Sequence, residues 1–357
     1  MHSQLMPVGM PTYLNGNILK IDKNAFGFFY CKIIAPDDIL HPILQTHIKT
    51  NSGIRTISPI GVWKDMIFSE ELNNAQKFGY KFEILWGYTF KKGYIFNDYV
   101  DFLYNFRLTY PKSDPMNYLA KLLLNSLYGR FGMDDNFSEI KIIHKEFYGD
   151  FENKFINNIK KSEDLGDYKL VTYNIDENPI VEDELIHNVS IGIAAAITAY
   201  SRIHMSQFKN NPDFNFYYSD TDSVYIDRPL PEHLVNSKVL GKMKLENVLD
   251  KAIFLAPKMY YLETEDGKII YKVKGLSHDI ELTRNDFDNL LFKESTLQKI
   301  QTKWRKNLKE GHIELLEQMY TLKVTENKRK LIYNKNNKFI ATKAYKINLN
   351  KEILNLN

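Results

Sequence analysis

Asp220 and Asp222 lie two residues apart in the run Phe214 to Ile226, which is otherwise apolar and β-prone and reads Tyr-Tyr-Ser-Asp-Thr-Asp-Ser-Val-Tyr over 217–225. Side chains two apart on an extended strand share a face. Both carboxylates would therefore sit beside Phe214, Phe216, Tyr218, Val224 and Ile226, unless a turn at Ser219–Thr221 breaks the parity. Carboxylates about 7 Å apart among buried neighbours repel each other and lose hydration, a cost that a bound divalent cation removes. The pair reads as a metal-binding hairpin or as an ordinary polar β-turn, because Asp, Ser and Thr are common turn residues.

A second constellation is Lys121-Leu-Leu-Leu-Asn125-Ser126-Leu-Tyr128-Gly129, continued by Arg130, Phe131 and Gly132. Asp114 is placed to cap a helix here, with Pro115 in the first helical position, where a missing N–H does no harm. At about 100° per residue, Ala120, Leu123, Leu124, Leu127 and Phe131 gather on one face, and Lys121, Asn125, Tyr128 and Gly132 on the other. The polar stripe is either a solvated face or one that meets a phosphate chain at Lys121 and a stacked base pair at Tyr128. Gly129 and Gly132 favour the second reading: each costs a helix about 1 kcal/mol relative to alanine, so a close approach is expected there.

The elements that must position these residues follow from local pattern. Residues 13–97 carry short runs rich in Phe, Tyr, Ile and Gly, including Phe26–Ile34 and Phe82–Tyr94, expected as strands. A helix over Glu70–Phe78 interrupts them, with acidic residues in its first turn. Residues 98–133 take helical periodicity, whereas 134–180 are charged and turn-rich and are expected to form an exposed, mobile insertion. From Glu184 to Phe208, apolar residues recur every three to four positions, which predicts a buried helix whose Ala194–Ala196 patch permits close packing. Further strands are expected at Leu240–Glu246, Met259–Glu263 and Ile269–Val273, and a helical segment over 284–310 with Trp304 in a core.

Composition sets the outer bounds. The 357 residues, 44% of them hydrophobic, suffice for two or three subdomains, and a net charge of +3 is too mild to announce a nucleic-acid binder. The single cysteine, Cys31, excludes an internal disulfide framework and a cysteine-based zinc site, and is expected to be a small buried residue. No apolar run approaches eighteen residues and Met1–Met10 lacks a secretory pattern, so a soluble chain with no membrane partner is expected.

Taken together, in that order and about ninety residues apart, Lys-x-x-x-Asn-Ser-x-Tyr-Gly and Tyr-x-Asp-Thr-Asp-Ser resemble motifs B and C of family B DNA polymerases. The spelling Asn125-Ser126-Leu127-Tyr128-Gly129, with the charged insertion before motif C, resembles the protein-primed branch of linear plasmids and phages. Pro7-Val-Gly-Met-Pro11 resembles the segment just downstream of motif A, and Lys258-Met259-Tyr260 the motif that holds the primer terminus. Lys272-Val-Lys274-Gly275 resembles the basic strand that follows, and Lys328-Arg329-Lys330 lies in a region resembling the thumb.

The resemblance implies an α+β right-hand polymerase fold of palm, fingers and thumb with two insertions typical of protein-primed enzymes, N-terminally truncated. On it, 1–12 end the N-terminal palm segment, 13–97 form the first insertion, 98–133 the fingers, 134–183 the second insertion, 184–280 the palm and 281–357 the thumb. It implies template-directed nucleotidyl transfer with two Mg2+ ions, Asp222 being a direct ligand and Asp220 an outer or occasional one. Lys121 would bind the triphosphate and protonate the pyrophosphate, with Asn125 assisting and Tyr128 packing under the nascent pair. Arg107 would reach the same phosphates or stand solvated. Lys258 and Tyr260 would grip the primer, and Lys272 and Lys274 would touch duplex phosphates.

The implied partners are primer–template DNA, deoxynucleoside triphosphates and a terminal protein primer; the implied location is the mitochondrion or, alternatively, a cytoplasmic linear plasmid. Motif A, Asp-x-x-Ser-Leu-Tyr-Pro, does not occur in the sequence, and Met1 falls a few residues beyond where it would end. Asp22, Asp37 and Asp38 are expected as surface or turn residues rather than substitutes. The chain is thus expected to be the C-terminal part of a polymerase or, alternatively, a catalytically inactive remnant that retains primer–template binding.

Overall fold

The computed structural model describes residues 4–50, 53–133, 138–174, 190–307 and 312–354. The first elements are β1 (Met6–Asn15), β2 (Gly27–Ala35), β3 (Thr46–Thr50), β4 (Gly53–Ile57), β5 (Ile60–Phe68), α1 (Ser69–Gln76) and β6 (Lys81–Gly93). Then come α2 (Asn97–Thr109), α3 (Pro115–Phe131), β7 (Ser138–His144), α4 (Lys145–Lys154), β8 (Ile159–Leu165), β9 (Tyr168–Asn174) and α5 (Ile191–Lys209). They are followed by β10 (Phe216–Asp220), β11 (Ser223–Ile226), β12 (Leu249–Ala256), β13 (Met259–Thr264), β14 (Ile269–Val273) and α6 (Arg284–Leu290). The last are β15 (Leu297–Asn307), β16 (His312–Leu322), β17 (Lys330–Tyr333), β18 (Phe339–Lys343), β19 (Lys346–Ile347) and β20 (Ile353–Leu354).

These elements divide into two compact units. One comprises Met1–Asn97, Ala196–Lys299 and Met319–Asn357, the other Asp98–Ala195 and Ile300–Gln318. In the first unit, a six-stranded sheet runs in the order β1-β6-β2-β5-β19-β20. Period-two alternation puts Phe29, Cys31 and Ile33 of β2 in one core with Trp63, Leu44, Ile48 and Leu72, all essentially inaccessible to solvent. Burial pushes the Cys31 thiol up to about 12, so it stays protonated, as suits a small packing residue. Tyr13, Tyr30, Trp86 and Tyr88 meet ring to ring across β1, β2 and β6.

The C-terminal strand β19 joins this sheet parallel to β5, with Lys346 opposite Ile60 and Ile347 opposite Gly61. Gly61 has a φ of +101°, and a Cβ there would stand 2.3 Å from the Ile347 carbonyl oxygen. Only glycine satisfies both demands. Two ion pairs clamp the same edge: Lys346 with Asp37 at 2.9 Å and Lys351 with Asp65 at 2.9 Å.

In the same unit, β12-β13-β14 form an antiparallel sheet against α6, and Ile253, Leu255, Tyr261, Phe287 and Leu290 make its core. Along α5, Ala196, Ala199, Met205 and Phe208 are buried at the expected helical spacing. Residues 184–189, where that helix was expected to begin, lie outside the described residues. Three other expectations change. Leu240–Glu246 is no strand; its only ladder contact among the described residues is a parallel bridge, Val235 to Met243, and the strand is β12. The helix expected over 284–310 stops at Leu290, started by the Thr283–Asp286 capping box and ended before Glu294, whose φ is +66°. From Leu297 the chain pairs as β15 with β16, because cross-strand pairing outweighs the helical preference of Lys, Gln and Arg. Trp304 on β15 is 76% exposed rather than in a core.

In the second unit, α3 begins as expected: the Asp114 side chain accepts from the Met116 N–H, with Pro115 in the first turn. The charged span after α3 contains a sheet of order β7-β9-β8 with α4 beside it, and Leu170, Val171, Tyr173 and Tyr148 are buried within it, where only exposed turns were expected. The apolar residues of β9, Leu170, Val171 and Tyr173, stand between charged neighbours that hide the strand in the sequence. Residues 134–137 and 175–183 of that span lie outside the described residues. Among the described residues, no helix is long and apolar enough to cross a membrane.

Candidate functional site

The strands β10 and β11 pair with Asp220 opposite Ser223, leaving Thr221 and Asp222 as a two-residue loop. The two carboxylates therefore do not share a strand face among buried neighbours. Asp222 is exposed at the tip, and Asp220, at the strand end, is half-buried. Thr221 has a φ of +39°, an outlying conformation for a β-branched residue. It is held there locally: its hydroxyl donates to Asp220 Oδ1 at 3.3 Å, and the Ser223 hydroxyl donates to the Asp220 carbonyl at 3.1 Å.

Aromatic packing fixes the hairpin to the neighbouring sheet. Tyr218 of β10 stacks on Phe254 of β12 with centroids 4.9 Å apart and planes 5° from parallel. Tyr225 meets Phe254 edge-on at 5.0 Å, and Tyr260 of β13 touches Tyr218 and Tyr225 at 5.6 and 5.9 Å. Such pairs add about 0.5–1.5 kcal/mol each beyond their burial. The Tyr218 hydroxyl accepts from the Lys258 backbone N–H at 2.8 Å, and burial among these rings pushes the Tyr218 and Tyr225 phenols above their ordinary range. Tyr225 and Phe254 were not singled out from the sequence, and Tyr218 only as a member of the strand and its motif. The available signal was aromatics recurring with strand alternation on both sides of the aspartates.

Lys258 occupies the tight turn between β12 and β13 with a φ of +59°. Its Nζ donates to Asp220 Oδ2 at 2.5 Å, and that carboxylate holds the ammonium above the usual lysine range. Tyr260 lies opposite Lys272 in the β13–β14 register, and the Lys274 N–H donates to the Lys258 carbonyl at 3.0 Å. Lys272 and Lys274, two apart, are both exposed. The structure thus brings Asp220, Asp222, Lys258, Tyr260, Lys272 and Lys274 together. Asp222 alone among the acids of this group has no hydrogen bond or ion pair within the described residues.

The second group lies on α3, in the other unit. Lys121, Asn125 and Tyr128, spaced i, i+4, i+7, form one exposed stripe, and none has a side-chain partner among the described residues. The opposite face is less buried than its leucines suggest: Ala120 is buried, but Leu123 is 47% exposed. Of the two glycines, one has a cause within the fold. Nothing lies within 4 Å of a Cβ built at Gly129, while one at Gly132 would meet the Ala194 Cβ at 3.1 Å. Gly132 is small because α5 passes it, which is also the use of the Ala194–Ala196 patch. Arg107 on α2 is turned to structure: its Nε donates to Asn117 Oδ1 at 3.4 Å, and Asn117 Nδ2 donates to the Arg107 and Tyr110 carbonyls at 2.9 Å each.

Among the described residues, no cluster of three or more His, Cys, Asp or Glu forms a ready cage for a metal ion. The hairpin's donor chemistry nonetheless fits Mg2+, which binds through one or two carboxylates, water and substrate phosphates rather than in an all-protein cage. Asp222 is the open carboxylate for that purpose, with Asp220 beside it under the lysine.

The class of protein to which these elements belong follows from sequence comparison. The chain belongs to the family of type B DNA polymerases, organellar and viral, whose sequence model matches residues 1–214. It is 38% identical to a probable DNA polymerase of Neurospora intermedia over 87% of its length, and 36% identical to one of Ascobolus immersus over 98%. It spans only 32% and 29% of those relatives. Its fold matches Phi29 DNA polymerase, solved with primer-template DNA and incoming nucleotide, with a TM-score of 0.63 and 20% identity, over 90% of this chain and 55% of that one.

Proposed function

We propose that this chain forms the palm, fingers and thumb part of a protein-primed DNA-directed DNA polymerase, adding deoxynucleotides to a primer on a DNA template. The observation that carries the reading is the partnerless Asp222 on a braced hairpin, in a chain of this family, with the basic Lys258–Lys274 surface beside it. In this reading, 1–12 close the N-terminal palm segment, 13–97 and 134–183 are the two insertions, 98–133 the fingers, 184–280 the palm and 281–357 the thumb.

Asp222, assisted by Asp220, would hold the divalent metal, Mg2+ in two copies in the whole enzyme. When bound, the metal supplies charge neutralisation at the reacting phosphate and activation of the primer hydroxyl. The protein's own contributions are positional and electrostatic. Lys121 would pair with the triphosphate and donate a proton to the departing pyrophosphate. Asn125 would bond the same group from the next turn, and the Tyr128 ring would pack against the nascent base pair. Lys258 and Tyr260 would hold the primer end, and Lys272 and Lys274 would contact backbone phosphates without reading sequence. Arg107, already bonded to Asn117, would position α3 rather than reach phosphate. A terminal protein primer completes the partners, and an organellar or linear-plasmid replicon is the setting that fits the family.

The test is primer extension with Mg2+, using the chain alone and the chain joined to an upstream polymerase segment of a relative that carries Asp-x-x-Ser-Leu-Tyr-Pro. Template-directed extension that is lost in Asp222→Ala, with primer–template binding retained, is the expected result. A folded assembly that binds primer–template but extends nothing, or that extends equally well without Asp222, would refute the reading.

A further inference from the structure

Away from the hairpin, three segments of the first unit converge on a patch of cations. The α5 helix ends at Lys209, and the Asn210 side chain clamps His41, accepting from its backbone N–H at 3.0 Å and donating to its carbonyl at 2.8 Å. From the C-terminal region, Arg329 donates through Nη2 to the Leu40 carbonyl at 3.2 Å and through Nε to Thr342 Oγ1 at 2.8 Å. The His41 ring rests on Phe216 with centroids 5.0 Å apart.

The charges here are unbalanced. Two turns back along α5 from Lys209, Arg202 engages Glu71 with both oxygens, at 2.6 and 2.8 Å, which commits that carboxylate. Neither Lys209 nor Arg329 has a carboxylate partner among the described residues, and each is half-buried, as is His41. Burial lowers all three, and the positive charges of Arg329 and Lys209 further lower His41, to about 4. A cation at a helix C-terminus and an arginine on carbonyls are each ordinary features. Two cations set against an imidazole, with only the Glu71 carboxylate already held by Arg202 acting on Lys209, are not, because desolvated charges are normally paired.

We propose that this patch is a binding site for a compact phosphate anion, held between the Lys209 ammonium and the Arg329 guanidinium, with His41 donating from its neutral ring. The guanidinium keeps N–H groups to spare after its bonds to neutral acceptors, and phosphate oxygens match its fork. The anion is free phosphate or pyrophosphate, or the phosphate of a nucleic acid; the chemistry is the same.

Thermal unfolding of the full chain in EDTA tests this, with inorganic pyrophosphate, inorganic phosphate and a short DNA duplex as probes against chloride of equal ionic strength. The background carries Lys121→Ala, so that α3 does not contribute. A concentration-dependent rise in Tm is expected, abolished by Lys209→Met and largely kept by Lys209→Arg. A rise with pyrophosphate assigns a free anion, and a rise with the duplex alone assigns a nucleic-acid phosphate; both support the site. No rise with any probe, or one that persists in Lys209→Met, overturns it. Should Lys209→Met not fold, the His41 ring titration followed by NMR in the same background decides. Bound phosphate must move its midpoint upward from about 4, and an unmoved midpoint overturns the proposal.

Discussion

Lys258 Nζ lies 2.5 Å from Asp220 Oδ2, so the two aspartates of the hairpin stand in different states: one neutralised by an ammonium, the other open to solvent. They should not be interchangeable. In the assembled polymerase, Asp222→Ala is expected to reduce extension by several orders of magnitude. Asp220→Asn should cost less and should also weaken primer binding, because Lys258 loses its anchor. Single-turnover rates and primer–template affinities measured for both variants check this, and equal losses in rate with unchanged affinity would contradict it.

Thr221 is a β-branched residue at positive φ within a two-residue loop. Replacing it with glycine removes a conformational cost of about 1 kcal/mol, partly offset by the entropy glycine adds to the unfolded chain. Thr221→Gly should therefore unfold at the same or a slightly higher denaturant concentration than the parent. A clear drop would show that the threonine hydroxyl's bond to Asp220 outweighs the backbone strain.

His41 sets a pH dependence. Its folded value, lowered to about 4 from 6.5, means that the unfolded chain takes up the proton first as pH falls. The stability it contributes is complete above about pH 6.5 and is lost between there and about pH 4, by roughly 1–2 kcal/mol after allowance for solvent screening. Urea denaturation at a series of pH values should show a shallower acid loss in His41→Gln than in the parent over that window. Parallel curves would mean that the histidine does not titrate as its surroundings dictate.

Gly61→Ala tests the join between β5 and β19. With the Ile347 carbonyl 2.3 Å from the new methyl group and the φ unsuited to alanine, the strand must detach or the sheet must shift, at a cost of about 1–3 kcal/mol. Limited proteolysis should cut the variant near residues 344–354 well before the parent. Equal resistance would argue that the edge accommodates the methyl group.

What the sequence made legible followed from short-range rules. The Asp114–Pro115 helix start, the Cys31 strand and the hairpin around Asp220 each depend on neighbours within a few residues. Asp222's exposure did not follow from the pattern, because whether the turn falls before or after Asp220 is set by the register with β11. The β15 strand was unreadable for a related reason: Lys, Gln and Arg form helices readily, and only a partner elsewhere in the chain makes them extended. Gly132 shows the opposite error, a small residue assigned to a ligand that is in fact matched to Ala194, some sixty positions away. The Lys258–Asp220 contact joins residues 38 apart and left no mark on either one's local sequence.

The parallel pairing of β19 with β5 also has a consequence for biosynthesis. Residues 60–68 are made nearly three hundred residues before the strand that covers their edge. Through most of translation, that edge carries unmet backbone hydrogen-bonding groups and is open to pairing with another nascent chain. A product released short of Lys346 would carry a sticky seam, so a short strand made late closes an edge formed nearly three hundred residues before it.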